Sequence, residues 1–313
     1  MVNLSFSRKT AGGGALFGAR GIFCYHYHMA KAFARDFERI VPCDFQTLDE
    51  RLIFLKHLFS YHYAASQLPR KDFVLLDLGC GFGYGTSFLA DHCERITGAD
   101  VDAEAIEYSS NTYSSPKCHF ERLDATLRRL PFKDGAFDAV IFLQVIEHIR
   151  DDRTFLREAA RVIEPGGLLI LATPNAASRL RPGAPPWNPF HVREYTSREI
   201  TSLLHEFFSD IRLLGVRANA GIEALETARV RTIQRIAALD FLDLRHRIPR
   251  SFIPLIISWL ERLRFLRHSR TIEQNIHEYG IEDFSVSETG LEQSLDLLAI
   301  CRKAGPKTGG NRT

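Results

Sequence analysis

The chain of 313 residues is 45% hydrophobic and 25% charged, as expected of a folded globular protein. Its 40 Lys and Arg residues nearly balance its 38 Asp and Glu residues, which excludes the strong basic field typical of nucleic-acid-binding chains. Its six cysteines form no CxxC pair and no zinc-like spacing with histidine, so we expect reduced thiols in a cytoplasmic protein.

Apolar periodicity predicts an alternation of strands and helices. Residues 1–44 have no clear period, whereas leucines at helical spacing predict a helix at 47–66. Short apolar runs predict strands at 73–78, 95–99, 118–121, 137–143 and 168–172, with helical patterns at 103–113 and 154–162 between them. This alternation predicts an α/β fold, a doubly wound parallel sheet with helices on both faces.

A glycine-rich turn follows the first predicted strand, in the stretch VLLDLGCGFGYGT. Gly79, Gly81 and Gly83 can take positive φ and let the backbone approach a ligand closely. The dinucleotide pattern GxGxxG would need a glycine three residues after Gly81, where Tyr84 stands. The acid before the glycines, Asp77, would repel a pyrophosphate but suits an amino group.

DLGCGFGYG resembles the first motif of class I S-adenosylmethionine-dependent methyltransferases, of the type 11 and quinone-biosynthesis kind. TGAD, LDA, FLQVIEHI and RVIEPGGLLILATPN resemble the later motifs of that family, in the same order. The resemblance covers 73–216 and implies S-adenosylmethionine as cofactor on a Rossmann-like sheet of seven strands. In it, Asp100 would bond the ribose hydroxyls and Asp124 the adenine amino group. The cofactor-binding residues it implies are Asp77, Gly79, Cys80, Gly81, Gly83, Asp100, Val101, Asp124, Ala125 and Gln144.

Two helix starts can be predicted from capping residues. Asp102 is placed to cap the helix that follows it. Thr196 and Glu199 have the spacing of a capping box, so Glu199 is expected to be structural.

Candidates for the acceptor side follow the fourth and fifth strands. Glu147 and His148 form one pair, and His191 and Glu194 lie in NPFHVREYT. A hydroxyl acceptor benefits from a base, and we assign Glu147, His148 and His191 as catalytic candidates. Each histidine also has a structural alternative, as a loop residue bonded to backbone or as a packing residue near Tyr195. The proline-rich segment 181–189 is predicted to form a loop over the site.

VIEH with a later histidine also resembles the metal site of small-RNA 3′-end 2′-O-methyltransferases. Those enzymes place a carboxylate three residues before the Glu of EH. This chain has the neutral Gln144 there, and no metal is assigned.

The C-terminal third predicts a sixth strand at 211–216 and an antiparallel seventh at 295–302 that inserts beside it. The connection is far longer than a hairpin and has helical periodicity, which predicts an inserted helical cap. The predicted domains are an N-terminal segment at 1–66, the core at 67–217, the cap at 218–289 and the final strand with a tail at 290–313.

For the substrate and the partners, the sequence predicts only a chemical class. YHYAASQL, TPN, NPFHVREYT and DFLDLR resemble bacterial methyltransferases of surface-polysaccharide assembly, which implies a small-molecule, sugar or lipid-linked saccharide hydroxyl as acceptor. A quinone precursor, an RNA 2′-hydroxyl and a non-catalytic cofactor-binding scaffold remain alternatives. The segment 251–270, apolar and then basic, packs on the core or on a partner subunit, or contacts the inner membrane peripherally. The oligomeric state is left open.

Overall fold

The computed structural model describes residues 45, 48–124, 129–188, 190–239 and 278–305. In these ranges the strands are β1 Val74–Leu78, β2 Arg95–Asp100, β3 Cys118–Arg122, β4 Phe137–Leu143, β5 Ile163–Pro174, β6 Asp210–Ala218, β7 Phe284–Ser287 and β8 Asp296–Arg302. The helices are α1 Leu48–Ser66, α2 Tyr84–Ala90, α3 Ala103–Tyr113, α4 Asp152–Val162, α5 Ala176–Arg179, α6 Ser197–Leu204 and α7 Ala220–Leu239. Short 3₁₀ turns lie at Ile146–His148, Ile281–Asp283 and Leu291–Gln293.

The strands form one sheet in the order β3-β2-β1-β4-β5-β8-β6-β7. The first five are parallel, and β8 lies antiparallel between β5 and β6. The predicted doubly wound sheet with an inserted antiparallel strand is therefore confirmed. The described residues hold eight strands rather than seven, because β7 pairs with β6 at the sheet edge. Its four residues, FSVS, are too few and too polar to predict a strand.

Both faces of the sheet are covered, which explains why its central strands are continuous apolar runs. Side chains of a strand alternate between the two faces, so Leu75 packs with α1 in one core and the next residue, Leu76, packs with α4 in the other. Both leucines are fully buried. The carboxyl ends of the parallel strands consequently meet at one edge, where a doubly wound sheet binds its ligands.

Helix α1 lies close to its predicted bounds and is tied to the far end of the chain. Lys56 of α1 donates from Nζ to Oδ1 of Asp296, at the start of β8, over 2.7 Å. Both residues are buried, so this ion pair fixes the N-terminal helix against the inserted strand. Because the pair is buried, removing either partner would leave an unbalanced charge in the interior.

The two predicted caps are present. Asp102 accepts hydrogen bonds from the N–H groups of Glu104 and Ala105 at the start of α3. Thr196 and Glu199 form a reciprocal capping box at the start of α6. Their side chains are thereby assigned to fold stability.

Several predictions fall on residues that the structure does not describe. Residues 1–44, Ala125 and the segment 251–270 lie outside the described residues. Of the predicted cap at 218–289, the described part includes α7. No helix in the described ranges is long and apolar enough to cross a membrane.

Candidate active site

The glycine-rich turn forms an open cradle at the carboxyl end of β1. Gly79, Gly81 and Gly83 have φ of 73°, 52° and 75°. A Cβ atom on Gly79 would lie 2.5 Å from Val145, and one on Gly83 would lie 2.5 Å from Ser109, so both glycines pack tightly. A Cβ atom added to Gly81 would have no atom within 4 Å apart from those of its neighbours in the chain. The turn is therefore closed on two sides and open at its centre, where a ligand could touch the backbone.

Asp100, the last residue of β2, holds this turn in place. Its Oδ2 accepts a hydrogen bond from the Gly81 N–H, and its Oδ1 accepts one from the Asp102 N–H, both over 2.9 Å. Asp100 is only 6% exposed, whereas the next residue, Val101, is 47% exposed. The buried carboxylate of Asp100 thus lies next to the exposed apolar side chain of Val101. A bound ribose could contact the carboxylate, and a bound base could contact the apolar side chain.

A cavity of about 320 Å³ lies over this edge of the sheet. Its size falls in the range of small-molecule sites. It is lined by His57, Tyr61, Leu78, Gly79, Cys80, Gly81, Phe82, Tyr84, Asp100, Val101, Leu123, Leu143, Gln144, Val145, His148, Ile149, Phe155 and Phe190.

Six of the predicted cofactor residues line this cavity, namely Gly79, Cys80, Gly81, Asp100, Val101 and Gln144. Gly83 belongs to the same turn and Asp77 to the strand before it, but neither lines the cavity. Asp124 is exposed, and its neighbour Leu123 lines the wall instead. The role of Asp124 at the adenine stays a prediction.

Asp77 lies beneath the turn and is fully buried. It accepts hydrogen bonds from Thr86 Oγ1 over 2.6 Å and from the Tyr61 hydroxyl over 3.2 Å. Burial raises the pKa of Asp77 to about 7, and the two hydrogen bonds partly oppose that rise. The carboxyl therefore joins β1 to α1 and α2, and its contact with a ligand amino group stays a prediction.

Helix α1 contributes a wall that the sequence did not predict. His57 and Tyr61 of α1 line the cavity beside Tyr84, whose hydroxyl lies 3.5 Å from His57 Nδ1. The sequence periodicity predicted helix α1, but the aromatic residues of this helix do not show which of its faces covers the site. Burial raises the pKa of Tyr61 well above its usual range, so its hydroxyl remains protonated and donates to Asp77.

Gln144 occupies a strained position after β4. Its φ is 58°, and it is the one non-glycine residue with positive φ among those described. Its N–H donates to Ala172 O over 2.8 Å, and its side-chain amide donates to Asp296 Oδ2 over 2.9 Å. Strain of this kind is typical of functional sites. Gln144 thus joins the cavity wall to the Lys56–Asp296 ion pair.

The three predicted catalytic residues are brought together at the end of the cavity. One potential ligand or base atom from each of Glu147, His148 and His191 lies within 4.8 Å of the others. His148 lines the cavity, while Glu147 and His191 are buried behind it. The two imidazole rings are 4.9 Å apart and nearly perpendicular.

Hydrogen bonds fix both imidazoles through the same ring nitrogen. His148 Nδ1 lies 3.1 Å from Phe190 O, and His191 Nδ1 lies 2.8 Å from Glu194 Oε1. Glu194 is held in turn by Arg179, whose Nε lies 3.2 Å from Glu194 Oε2.

The backbone connects the two segments that carry this cluster. The carbonyl of Glu147 accepts hydrogen bonds from the N–H groups of Val192 and Arg193, over 2.7 and 3.3 Å. The Glu147 side chain accepts a further hydrogen bond from Thr173 over 3.0 Å. The turn after β4 and the segment before α6 are therefore held as one unit.

Comparisons with known proteins agree with this geometry. The family described as a methyltransferase domain matches residues 76–171. A protein of Mycolicibacterium smegmatis named "Probable S-adenosylmethionine-dependent methyltransferase" is 34% identical over 191 residues, which are 60% of this chain and 70% of that protein. A ubiquinone biosynthesis O-methyltransferase of Maricaulis maris is 32% identical over 131 residues, 41% of this chain and 52% of that protein.

Among solved structures, that of the cyclase SpnF has a TM-score of 0.50 and 19% identity, covering 80% of this chain and 81% of that chain. At this identity the similarity concerns the fold alone. Since that protein is a cyclase, the fold by itself does not establish the reaction.

Proposed function

The chain belongs to the S-adenosylmethionine-dependent methyltransferases, and from that premise we propose that it methylates a hydroxyl oxygen of a small-molecule, sugar or lipid-linked saccharide acceptor. The observation that carries the proposal is the Glu147–His148–His191 cluster at the end of the cavity. A hydroxyl must lose its proton as its oxygen gains the methyl group, and this cluster supplies basic groups where the acceptor would enter.

The residues of the glycine cradle fit the cofactor. Gly81 offers open backbone, and Asp100 offers a buried carboxylate beside the exposed Val101. S-adenosylmethionine, when bound, supplies a methyl group on a positively charged sulfur. Asp100 would hold the ribose, and Gly81 would leave room for the amino-acid part. Holding both reactants in line can supply most of the acceleration.

His148 is the member of the cluster that meets the acceptor. It lines the cavity, and its Nδ1 is anchored on Phe190 O, so the ring presents Nε2 in a fixed direction. His191 and Glu194 support it from the interior. With S-adenosylmethionine bound, its methyl group would pass to the acceptor oxygen, the electron pair of the broken bond would remain on sulfur, and the cluster would take up the hydroxyl proton.

A quinone precursor is the second candidate acceptor. The cavity wall around His148 is apolar, formed by Val145, Ile149, Phe155 and Phe190. Such a wall suits an aromatic ring better than an unsubstituted sugar. The ubiquinone biosynthesis enzyme of Maricaulis maris supports the same reading over the part of its length that matches.

Calorimetric titration with S-adenosylmethionine and S-adenosylhomocysteine tests the cofactor site first. Transfer of a labelled methyl group to sugars, lipid-linked saccharides and catechols then tests the acceptor. The His148→Gln variant should retain cofactor affinity and lose transfer. His205→Gln is the matched control, because His205 is exposed at the end of α6. Equal transfer by His148→Gln and the control would contradict the proposal.

A further inference from the structure

The segment that follows β4 connects the glycine cradle to the acceptor side of the cavity. Val145 packs on the cradle, because a Cβ atom on Gly79 would lie 2.5 Å from one of the Val145 methyl carbons. The same short segment carries His148, and Gln144, Val145 and His148 all line the cavity. A methyl group that passes from a cofactor in the cradle to an acceptor at His148 would therefore pass along the wall to which Gln144 belongs.

The side-chain amide of Gln144 has a fixed orientation. Its Nε2 donates to Asp296 Oδ2 over 2.9 Å, while Lys56 Nζ donates to the other oxygen of the same carboxylate over 2.7 Å. Asp296 is fully buried, and a carboxylate paired with an ammonium group can only accept hydrogen bonds. The amide must therefore turn its NH₂ group towards Asp296 and its oxygen away from it.

The amide oxygen of Gln144 is accessible to a ligand. Within the described ranges no group donates a hydrogen bond to Gln144 Oε1, and this atom is not one of the buried side-chain atoms that lack a partner there. Since Gln144 lines the cavity, the oxygen faces the space in which a ligand would lie. A φ of 58° is unfavourable for glutamine, and strain of this kind is retained at positions that have a function.

We propose that Gln144 recognises the methylated, positively charged sulfur of S-adenosylmethionine through Oε1, and that Asp296 and Lys56 are positioning residues that hold this oxygen towards it. An amide oxygen carries a partial negative charge and can accept C–H···O contacts from a polarised methyl group. S-adenosylhomocysteine has a neutral sulfur and no such methyl group. Gln144 therefore favours the binding of the methyl donor over that of the product. The inference rests on the cofactor of this family and on none of the acceptors proposed above.

Calorimetric titration of the full chain with S-adenosylmethionine and S-adenosylhomocysteine tests this role by binding alone. Gln144→Met keeps the length of the side chain but removes the amide oxygen. It should lose at least about threefold more affinity for S-adenosylmethionine than for S-adenosylhomocysteine. Asp296→Asn should shift the ratio of the two affinities in the same direction, because an amide at 296 can also donate and no longer fixes the orientation of Gln144. Gln293→Met is the control, at an exposed position that does not line the cavity, and should leave the ratio unchanged.

Sinefungin, which has an amine-bearing carbon in place of the methylated sulfur, tests the same contact without a substitution. Its ammonium group would donate a charge-assisted hydrogen bond to Gln144 Oε1, so the unaltered protein should bind sinefungin more tightly than S-adenosylhomocysteine.

Two results would overturn the inference. One is an equal loss of affinity for S-adenosylmethionine and S-adenosylhomocysteine in Gln144→Met whose folding is confirmed by circular dichroism and Tm. The other is sinefungin binding no tighter than S-adenosylhomocysteine in the unaltered protein. Absence of binding of all three compounds would overturn the cofactor site and this inference with it. A shifted affinity ratio without methyl transfer to any hydroxyl would support the inference and contradict the proposed function alone.

Discussion

Replacing Asp77 by Asn should make the protein more stable at alkaline pH. The carboxyl is fully buried below the glycine turn, and burial raises its pKa from 3.8 to about 7. Between these two values the unfolded chain has lost the proton and the folded chain retains it. Stability contributed by this group is therefore greatest at low pH and falls as the pH rises towards 7.

The magnitude follows from the two pKa values. At about 1.4 kcal/mol per pKa unit, ionising Asp77 in the folded state costs about 4 kcal/mol. Asn has the shape of the protonated acid and still accepts hydrogen bonds from Thr86 and Tyr61. We therefore expect similar stabilities for the two proteins near pH 3, a variant more stable by about 1.6 kcal/mol at pH 5, and a variant more stable by about 4 kcal/mol at pH 8.

Urea unfolding at pH 5, 6, 7 and 8 measures this difference directly. Asp91→Asn is the control, because Asp91 is exposed and its substitution removes the same formal charge. Subtracting the two curves isolates the buried carboxyl from the remaining titrating groups. A difference between Asp77→Asn and wild type that does not change with pH would refute the reasoning, since it would mean that Asp77 is already ionised in the folded protein at pH 5.

Four further substitutions separate ligand contact from stability. Gly81→Ala should weaken S-adenosylmethionine binding at least about tenfold in calorimetry, because its Cβ would occupy the open cradle; the left-handed backbone adds a cost of about 1–2 kcal/mol. Gly83→Ala should instead lower Tm, because its Cβ would meet packed side chains. Asp100→Ala should lose about 1.5–3 kcal/mol of cofactor binding, and unchanged affinity would remove it from the site. Asp296→Asn should destabilise the fold by about 3 kcal/mol in urea, because Lys56 stays buried without its counter-charge; a loss below 1 kcal/mol would contradict this.

The order of most elements could be predicted because these elements leave a local pattern. Strands buried on both faces are continuous apolar runs, and this was sufficient to identify even the inserted antiparallel strand, predicted at 295–302 and observed at Asp296–Arg302. Strand β7 leaves no such pattern, since it is four residues long and only its first residue is buried. Its pairing depends on β6, which lies far from it in sequence.

Some residues of the candidate site could likewise be predicted from the sequence, and others could not. Glycine spacing and strand ends located Gly81 and Asp100, because a tight turn and a strand end are local features. The contribution of His57 could not be predicted, because helical periodicity does not show which side of α1 faces a ligand. The Lys56–Asp296 ion pair joins residues 240 positions apart, and no local sequence pattern predicts such a contact.

That distant pair also explains why position 144 is neutral. The Gln144 amide donates to Asp296 Oδ2, while Lys56 holds the other oxygen of the same buried carboxylate. A Glu at 144 would place a second carboxylate within hydrogen-bond distance of the first, where two buried like charges repel strongly. The residue that departs from the resembled metal-site pattern is therefore required by the packing of α1 against β8. Gln144 therefore serves the fold, by joining β4 to the ion pair between α1 and β8.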